Sequence, residues 1–435
     1  MTIHKQLKEK ILSKEAQICI IGMGYVGLPL MMRFIDSGFT VLGLDKDLSK
    51  VEKLERSESY INSITSKDIE DNIKNGFKPS NDYSLIKGAD VIIICVPTPI
   101  DKYRDPDLSF VEDSIEEMYP HLREGQMICL ESTTYPGTTE EILLPRITSG
   151  TLSVGKDVFL CYSPEREDPG NKEFSTKNIP KVVSGITANC LDLAEALYGS
   201  IIKEIVPVST TQTAEMTKLL ENIYRAVNIG LVNELKTITD KMGIDIYEVI
   251  EAAATKPFGY NKFLPGPGLG GHCIPVDPFY LSWKAKQYGF NTGFIELAGE
   301  INRSMPDWVI SKIADALNIL GLSVKNSKIL VLGISYKQDV DDLRESPSLE
   351  IISKLNEKGA IVKFSDPFFQ EKKYVGRNFE AMNIEITSSS LKEFDLVALI
   401  TNHSSFDYSL IKNNANFIVD TRGVYLEESD RIMKA

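Results

Sequence analysis

The chain has 435 residues, of which 43% are hydrophobic and 25% charged, and its formal net charge is −13. This length predicts two or three domains of ordinary globular composition, and the acidic balance argues against nucleic acid as a partner. No apolar run reaches the roughly 20 residues that cross a bilayer, and the first residues lack the apolar core of a secretory signal. We therefore expect a cytoplasmic protein without membrane contact.

The first half of the chain alternates short apolar runs with helical patterns, which is typical of a doubly wound parallel α/β sheet. Strands are predicted at 17–22, 39–45, 90–96, 127–132 and 158–162. The first strand runs into GMGYVG, in which Gly22 permits a tight turn, Gly24 lets a pyrophosphate approach the backbone and Gly27 packs helix against strand. Asp45 ends the next strand, where a carboxylate binds ribose hydroxyls, so the pattern favours NAD over NADP. The predicted cofactor turn also includes Tyr25 and Val26.

Two later stretches, CVPTP and ESTTYPGTT, follow strands of the same predicted sheet. Ligands of open α/β sheets bind at the carboxyl ends of the strands, so Thr98 and Thr133 are predicted to line the cofactor cleft. The plainer interpretation is that prolines and threonines merely shape these loops. Glu165 in SPE follows another strand, where a carboxylate is usually a solvated loop residue or a helix cap.

From Thr210 the sequence keeps helical periodicity for about thirty residues without proline, and Ser209 with Gln212 has the form of a capping box. Such a long helix suggests a connector and a dimer seam. Lys218 and Asn222 lie four residues apart on it and so share a face. From Lys328 onward strand-like runs return, and KILVLGISYKQ weakly repeats QICIIGMGYVG without the later glycines. This second copy is expected to bind something other than a dinucleotide.

One cysteine differs from the others in its surroundings. Cys273 lies in PGLGGHCIPVDPFY, behind glycines and four residues before Asp277, whereas five cysteines lie in or beside apolar runs and are predicted to be buried, at positions Cys19, Cys95, Cys129, Cys161 and Cys190. Beside an NAD motif, a thiol indicates aldehyde oxidation through a hemithioacetal and a thioester. His272 is a poor candidate for its base because neighbouring side chains in an extended loop point apart. The four histidines have no metal-ligand spacing, so no metal site is expected.

In order along the chain, GMGYVG, VPTP, ESTTYPGTT, SPE, AEMTKLLENIYRA, GGHCIPVDP, SYKQDVDDLRES and DTRG resemble the motifs of the UDP-glucose/GDP-mannose dehydrogenase superfamily. The resemblance implies two Rossmann-type doubly wound domains joined by a long central helix and a helical middle domain. The implied ranges are 1–208 for NAD binding, 209–305 for the dimerising middle with the cysteine loop, and 306–435 for the UDP-sugar. A homodimer or higher homo-oligomer is expected.

The resemblance also implies roles for single residues. Cys273 would be the nucleophile, Lys218 would stabilise the oxyanion, and Asn222 with Asp277 would order the water and the lysine. Thr133 and Glu165 would assist proton handling and thioester hydrolysis. The remaining implied contacts are those of Gly270, Lys337 and Arg422 with the substrate and of Arg344 with the cofactor phosphates. From composition alone, Lys337, Arg344 and Arg422 would be expected to form salt bridges at the surface.

The sequence departs from the glucose-type members in two places. SPE is followed at once by Arg166, Glu167 and Asp168, so the role of a second glutamate is not assigned to Glu167, and Val276 stands where those members have lysine. The cysteine loop looks most like the branch acting on UDP-N-acetylhexosamines, with UDP-N-acetylglucosamine first and surface polysaccharide as the end product. UDP-glucose, UDP-N-acetylgalactosamine and UDP-N-acetylmannosamine stay open.

Two other functions remain as alternatives. One is a two-electron dehydrogenase of the 3-hydroxyacid type, which would need neither Cys273 nor a third domain. The other is a non-catalytic nucleotide or redox sensor in which Cys273 is simply oxidisable. The number of NADH released per sugar separates them: two for the four-electron enzyme and none for the sensor.

Overall fold

The computed structural model of the chain describes residues 1–61, 64–101, 103–166, 178–271, 274–369, 383–426 and 429–435. The chain forms two compact units. The first consists of Met1–Glu221 with Phe279–Phe290, and the second of Asn222–Pro278 with Asn291–Ala435. No helix of the described part has the length and apolar character needed to span a bilayer.

The helices of the described residues are α1 (Ile3–Leu12), α2 (Gly27–Asp36), α3 (Leu48–Glu55), α4 (Ser66–Lys74), α5 (Ser109–Met118), α6 (Leu144–Ile147), α7 (Ala188–Gly199), α8 (Thr211–Met242), α9 (Ile246–Ala254), α10 (Asp277–Gln287), α11 (Gly293–Ile319), α12 (Pro347–Glu357), α13 (Ser388–Lys392) and α14 (Tyr408–Asn414). Short 3₁₀ turns lie at Tyr83–Gly88 and Tyr119–His121, and a π-helical turn at Thr139–Leu143.

The first unit is built on eight strands, β1 (Gln17–Ile21), β2 (Thr40–Leu44), β3 (Phe77–Ser80), β4 (Val91–Ile94), β5 (Met127–Leu130), β6 (Phe159–Tyr162), β7 (Lys181–Gly185) and β8 (Ile205–Pro207). Their order is β3-β2-β1-β4-β5-β6-β7-β8, and every pair is parallel except β6 with β7. The first six follow the order of dinucleotide-binding sheets. The five predicted strands are confirmed; β3, β7 and β8 were not predicted.

Both faces of this sheet are covered, which explains its continuous apolar strands. Ile18 and Ile20 of β1 belong to one core, and Cys19 and Ile21 belong to the core on the other face. Alternate side chains of a strand point to opposite faces, so a strand buried on both sides must be apolar throughout. The prediction that the five cysteines outside the glycine loop are buried is confirmed, and all five are free thiols.

Helix α8 confirms the predicted long helix but corrects its start. The backbone N–H of Thr213 donates to Thr210 Oγ1 at 3.0 Å, so Thr210, and not Ser209, has the position of the capping residue. The side chain of Gln212, the other member of the predicted capping box, donates instead to Glu140. The first residues of α8 belong to the first unit and the rest to the second.

The second unit carries a parallel sheet in the order β10-β9-β11-β12-β13, with strands β9 (Lys328–Leu332), β10 (Ile361–Ser365), β11 (Leu396–Leu399), β12 (Ile418–Asp420) and β13 (Ile432–Lys434). Its first strand lies between its second and third, as in a doubly wound sheet. The predicted Rossmann-like fold of this half is therefore confirmed. β13 has three residues and was not predicted.

The weak internal repeat is also confirmed. Gly22 after β1 and Gly333 after β9 both have positive φ, +97° and +78°, and in each copy an aspartate after the next strand accepts the N–H of the residue following that glycine. These acids are Asp45, at 3.0 Å, and Asp366, at 2.8 Å. The second copy thus keeps the strand, the turn and the acid of the first.

The two acids differ in their partners. Asp366 Oδ2 also accepts the N–H and hydroxyl of Ser335 and lies 3.0 Å from Nε2 of His403, and both Asp366 and His403 have fully buried side chains. His403 Nδ1 accepts the backbone N–H of Asp339 at 3.0 Å. Nε2 is therefore the protonated nitrogen, and its N–H donates a hydrogen bond to the carboxylate of Asp366.

Candidate functional site

The turn after β1 has the geometry of a dinucleotide cradle. A Cβ on Gly22 would lie 2.5 Å from the carbonyl oxygen of Cys95, and a Cβ on Gly27 would lie 1.9 Å from that of Gly22. A Cβ on Gly24 would meet no atom within 4 Å, so glycine keeps open the space that a pyrophosphate would occupy. The N-terminus of α2 follows directly, and its helix dipole favours an anion. These residues fit NAD.

Asp45 lies at the end of β2, where the sequence placed the ribose contact. Its carboxylate accepts the N–H groups of Met23 and Asp47 and a hydrogen bond from Lys50 Nζ at 3.2 Å. The contact of Lys50 with Asp45 was not predicted. The sequence feature that could have indicated it is a lysine in the first turn of the helix that follows the strand ending at an aspartate. Tyr60 also reaches this turn and donates to the carbonyl oxygen of Met23 at 2.5 Å.

Asp45 is expected to make the protein prefer NAD to NADP by roughly a hundredfold or more in kcat/KM, because like charges brought together cost several kcal/mol. Asp45→Asn should narrow that ratio. Asp47→Asn is the matched control, since Asp47 caps α3 through the N–H of Ser49 and should affect only stability. Equal kcat/KM values for the two cofactors in the wild type would refute the ribose contact.

The two threonine loops lie at the carboxyl ends of β4 and β5, as predicted. Ser132 Oγ donates to the carbonyl oxygen of Val96 at 2.7 Å, which ties the ESTT loop to the VPTP loop. Tyr280 of α10, fully buried, donates to the carbonyl oxygen of Thr98 at 3.0 Å. Thr98 and Thr133 are both half-buried. These contacts hold the two loops in fixed positions beside the cofactor turn.

A buried glutamate that the sequence analysis missed supports the second loop. Glu215 of α8 accepts the N–H groups of Gly137 and Thr139, at 2.5 and 2.9 Å, and the hydroxyl of Thr139. Burial raises the pKa of Glu215 to about 7. In the sequence, Glu215 could have been recognised only as an acidic residue on the apolar face of a predicted helix.

Glu165, which is half-buried, and Lys218, which is buried, form an ion pair in the first unit. The Nζ of Lys218 lies 3.4 Å from Glu165 Oε2, and Lys218 is only 5% exposed. Burial raises the pKa of Glu165, and the lysine opposes this effect. A lysine held in this way is not the solvated surface residue that composition favours.

In the second unit, Asn222 and Asp277 form a buried hydrogen-bonded pair. Asn222 Nδ2 donates to Asp277 Oδ2 at 2.5 Å, and the two residues are 4% and 3% exposed. Asp277 is the first residue of α10, where the helix dipole favours a carboxylate. Asn222 follows Lys218 by four residues on α8, so the predicted shared helix face is present.

Cys273, His272, Glu167 and Asp168 lie outside the described residues. The glycines before the cysteine are described. A Cβ on Gly270 would lie 2.5 Å from Tyr336 Cβ. Gly271 has φ +85° and donates to the carbonyl oxygen of Arg344 at 3.0 Å. Gly270 and Gly271 are thus packed on the SYKQDVDDLRES segment.

The three predicted cations of the second unit have different surroundings. Arg344 is exposed and pairs with Asp342, with Nη2 to Oδ2 at 2.6 Å, while Lys337 is half-buried. Arg422 is half-buried, donates through Nε to the carbonyl oxygen of Ile400, and its Nη1 would be 2.8 Å from a Cβ on Gly266. Arg422 therefore lies directly under the start of the cysteine loop.

A further cation, missed from the sequence, lies beside Arg422. Lys236 of α8 is 4% exposed and donates to the carbonyl oxygen of Thr421 at 3.2 Å. Burial, together with the charge of Arg422, lowers the pKa of Lys236 to about 7. Lys236 and Arg422 thus place two basic side chains close together in an acidic protein.

The sheet orders, the NAD turn and the buried Lys218–Glu165 pair define an NAD-dependent dehydrogenase. Three domain models of one family match the chain: the NAD-binding domain over residues 16–202, the central domain over 212–304 and the UDP-binding domain over 330–427. The chain belongs to the UDP-glucose/GDP-mannose dehydrogenase family, and it is an NAD-dependent UDP-sugar dehydrogenase.

Several relatives have names that report their own activity. The chain is 35% identical over 359 residues to UDP-N-acetyl-D-glucosamine 6-dehydrogenase of Pseudomonas aeruginosa, covering 82% of this chain and 83% of that protein. It is 33% identical over 425 residues to UDP-N-acetyl-D-mannosamine dehydrogenase of Methanocaldococcus jannaschii, covering 95% and 93%. The solved structure of UDP-D-ManNAc dehydrogenase from Pyrococcus horikoshii is similar with a TM-score of 0.86 at 31% identity, over 96% and 98% of the two chains.

Proposed function

We propose that this protein oxidises C6 of a UDP-N-acetylhexosamine, first of all UDP-N-acetylglucosamine, to the uronic acid for surface polysaccharide synthesis. The observation that carries the proposal is the burial of Lys218 and Asn222 one turn apart on α8, each paired with a carboxylate. Named relatives that act on UDP-N-acetylhexosamines support the substrate class. They differ in the C2 epimer, so UDP-N-acetylmannosamine is the leading alternative.

Bound NAD supplies the hydride acceptor for each of the two oxidations. Lys218 stabilises negative charge on the C6 oxygen, and Asn222 with Asp277 orders the water. Cys273 adds to the aldehyde carbon, and the hemithioacetal loses hydride to become a thioester. Glu165, assisted by Thr133, takes a proton from the water that cleaves the thioester and frees the thiol. Altogether the alcohol, two NAD⁺ and one water give the carboxylate, two NADH and three protons.

The substrate contacts and domain roles complete the proposal. Residues 1–208 bind NAD, 209–305 form the dimerising middle and 306–435 bind the UDP-sugar. Gly270, Lys337 and Arg422 contact the substrate, and Arg344 contacts the cofactor phosphates. The half-buried position of Arg422 in an acidic chain supports a role in holding diphosphate. The cytoplasmic location stays a prediction from the sequence.

The test of the function is a substrate panel. Purified protein is incubated with NAD and limiting UDP-N-acetylglucosamine, UDP-N-acetylmannosamine, UDP-N-acetylgalactosamine or UDP-glucose, and NADH is followed by absorbance. We expect two NADH per sugar and the highest kcat/KM with UDP-N-acetylglucosamine. One NADH per sugar would indicate a two-electron dehydrogenase, and none with any sugar would favour the sensor. A higher kcat/KM with UDP-N-acetylmannosamine would move the assignment to that epimer.

We also propose that two copies of the chain pair through α8. Within the second unit, this helix exposes apolar residues at heptad-like spacing, with exposures from 39% to 64%, at Tyr224, Leu231, Leu235, Ile238 and Met242. Such a seam on one helix suits contact with a two-fold copy of itself, because an isologous interface needs only one self-complementary face.

Leu231→Glu combined with Leu235→Glu is expected to shift the protein to a monomer in size-exclusion chromatography with light scattering, because four charges would meet in a dimeric seam. Ile319→Glu is the matched control: Ile319 is 64% exposed at the end of α11, outside this seam. An unchanged oligomer in the double variant would show that the seam lies elsewhere.

A further inference from the structure

A buried ion pair in the first unit lies outside the residues assigned to the reaction. Lys181, the first residue of β7, donates through Nζ to Glu131 Oε2 at 2.7 Å. The two residues are 7% and 2% exposed. Glu131 directly follows β5, and the residues are 50 positions apart in the chain.

The second oxygen of Glu131 is also engaged. Tyr198 of α7, fully buried, donates its hydroxyl to Glu131 Oε1 at 2.5 Å. The ring of Tyr198 also lies 5.0 Å from Lys181 Nζ. Three side chains from three elements therefore form one buried polar cluster, which we call the Glu131 cluster.

The Glu131 cluster is connected to both loops that carry candidate proton-handling residues. Glu131 lies two residues before Thr133. The same Nζ of Lys181 that binds Glu131 also donates to the carbonyl oxygen of Pro164 at 3.2 Å, directly before Glu165. One ammonium group thus joins the ESTT loop to the SPE loop.

The cluster also opens onto a space shared with Glu165. Glu131, Lys181, Glu165 and Arg166 line a cavity of about 20 Å³, together with Val26, which precedes α2, and Leu30 of α2. That volume is sufficient for about one water molecule. The charges of the pair are therefore close to the carboxylate of Glu165 with little solvent to screen them.

Stability alone does not explain such a pair, because replacing a buried ion pair with apolar residues is often neutral or stabilising. We propose that Glu131, Lys181 and Tyr198 are positioning residues that hold Glu165 in place and control when its carboxylate carries a proton. The catalytic meaning of this control rests on the proposed function. Its physical basis does not, because it concerns the resting protein.

The charged groups around Glu165 determine the direction in which its pKa should change in each variant. Burial raises the pKa of Glu165, Lys218 from α8 and Lys181 from β7 lower it, and Glu131 raises it. Among the described residues, Arg166 directly follows Glu165 and lines the same cavity, and the buried thiol of Cys95 lies next to the end of β4. Removing the charge of Lys181 should therefore raise the pKa of Glu165, and removing that of Glu131 should lower it.

The test compares Lys181→Met with Glu131→Gln in the full-length protein. The titration midpoint of Glu165 is measured by carbon-13 NMR of protein labelled at the glutamate carboxyl carbons, and the signal is assigned with Glu165→Gln. We expect the midpoint to move to higher pH in Lys181→Met and to lower pH in Glu131→Gln. Midpoints that do not move in these opposite directions would overturn the inference.

The activity profile is the second readout. If Glu165 acts as a base, Lys181→Met should lose roughly tenfold in kcat at pH 6 and less at pH 9, since an opposite charge favours the ionised carboxylate. Lys181→Arg, which keeps the charge, should restore the wild-type profile. A kcat lost equally at every pH, or not restored by arginine, would refute control of the proton.

The matched control is Asp90→Asn. Asp90 is 5% exposed, pairs with Lys10 at 2.9 Å and Arg123 at 3.0 Å, and directly precedes β4, whereas Glu131 directly follows the parallel neighbouring strand β5, so the two acids lie at opposite ends of the strands. This variant should lower the melting temperature without moving the midpoint of Glu165. The NMR titration needs no substrate, so a wild type that oxidises none of the sugars would contradict the proposed function and leave this test intact.

Discussion

Cys273→Ser is expected to lower turnover by roughly 10³-fold or more, about 4 kcal/mol of barrier. A hydroxyl is a far poorer nucleophile than a thiol at neutral pH, and an ester would resist hydrolysis more than a thioester. The first hydride transfer should persist slowly, because it needs alignment and a base but no nucleophile. NADH released per sugar, measured in single-turnover and steady-state experiments, checks this expectation.

Cofactor and substrate binding should be nearly unchanged in this variant, because the glycines before Cys273 are held by backbone contacts that serine does not disturb. Cys190→Ser is the matched control, since Cys190 Sγ accepts the N–H of Leu160 and hydrogen-bonds to Thr187, and a hydroxyl can replace it. Two NADH per sugar at near wild-type rate from Cys273→Ser would eliminate the covalent mechanism.

Lys218→Met should reduce kcat by roughly 10²- to 10³-fold, the usual loss when one donor to a developing oxyanion is removed. The change is expected mainly in kcat, with KM for the sugar nucleotide little altered. The pKa of Glu165, which Lys218 lowers, should rise, so the remaining activity should fall further toward acidic pH. Rates and KM values measured from pH 6 to pH 9 test both effects.

A matched lysine is available in the second unit. Lys312 pairs with Asp240 at 2.6 Å, and its side chain is 13% exposed, so Lys312→Met removes a comparable shielded charge outside the candidate site. It should reduce stability and leave kcat near the wild-type value. Equal losses in both lysine variants would mean that Lys218 stabilises the fold and has no direct part in the reaction.

Regular patterns could be predicted from the sequence because they depend on local periodicity. After their exposed first residues, the strands before Gly22 and Gly333 are apolar, since both faces of each sheet are covered, and the turn glycines follow from close backbone approach. The capping residue of α8 was wrong by one position because Ser209 and Thr210 can both serve as caps. Local pattern does not decide between such neighbours.

Contacts between distant residues could not be predicted in the same way. Lys181 begins an apolar strand, and nothing near it in the chain identifies its partner 50 residues earlier. Lys236 and Glu215 lie on a helix where charged residues are usually solvated, and only the fold shows that both are buried. A buried charge is recognised by its partners, which tertiary structure alone brings together.

The hydrogen bonds of Asp366 in the second copy of the repeat have a consequence for protein engineering and for the evolution of the two copies. Oδ2 of Asp366 is already occupied by His403 and by groups of its own turn, and Oδ1 accepts the N–H of Phe368. Restoring the missing glycines to KILVLGISYKQ would therefore not create a second dinucleotide site. If the halves arose by duplication, the acid predicted to bind the ribose in the first copy has an equivalent in the second copy that stabilises the fold, and a return to ligand binding there would require replacing His403 as well.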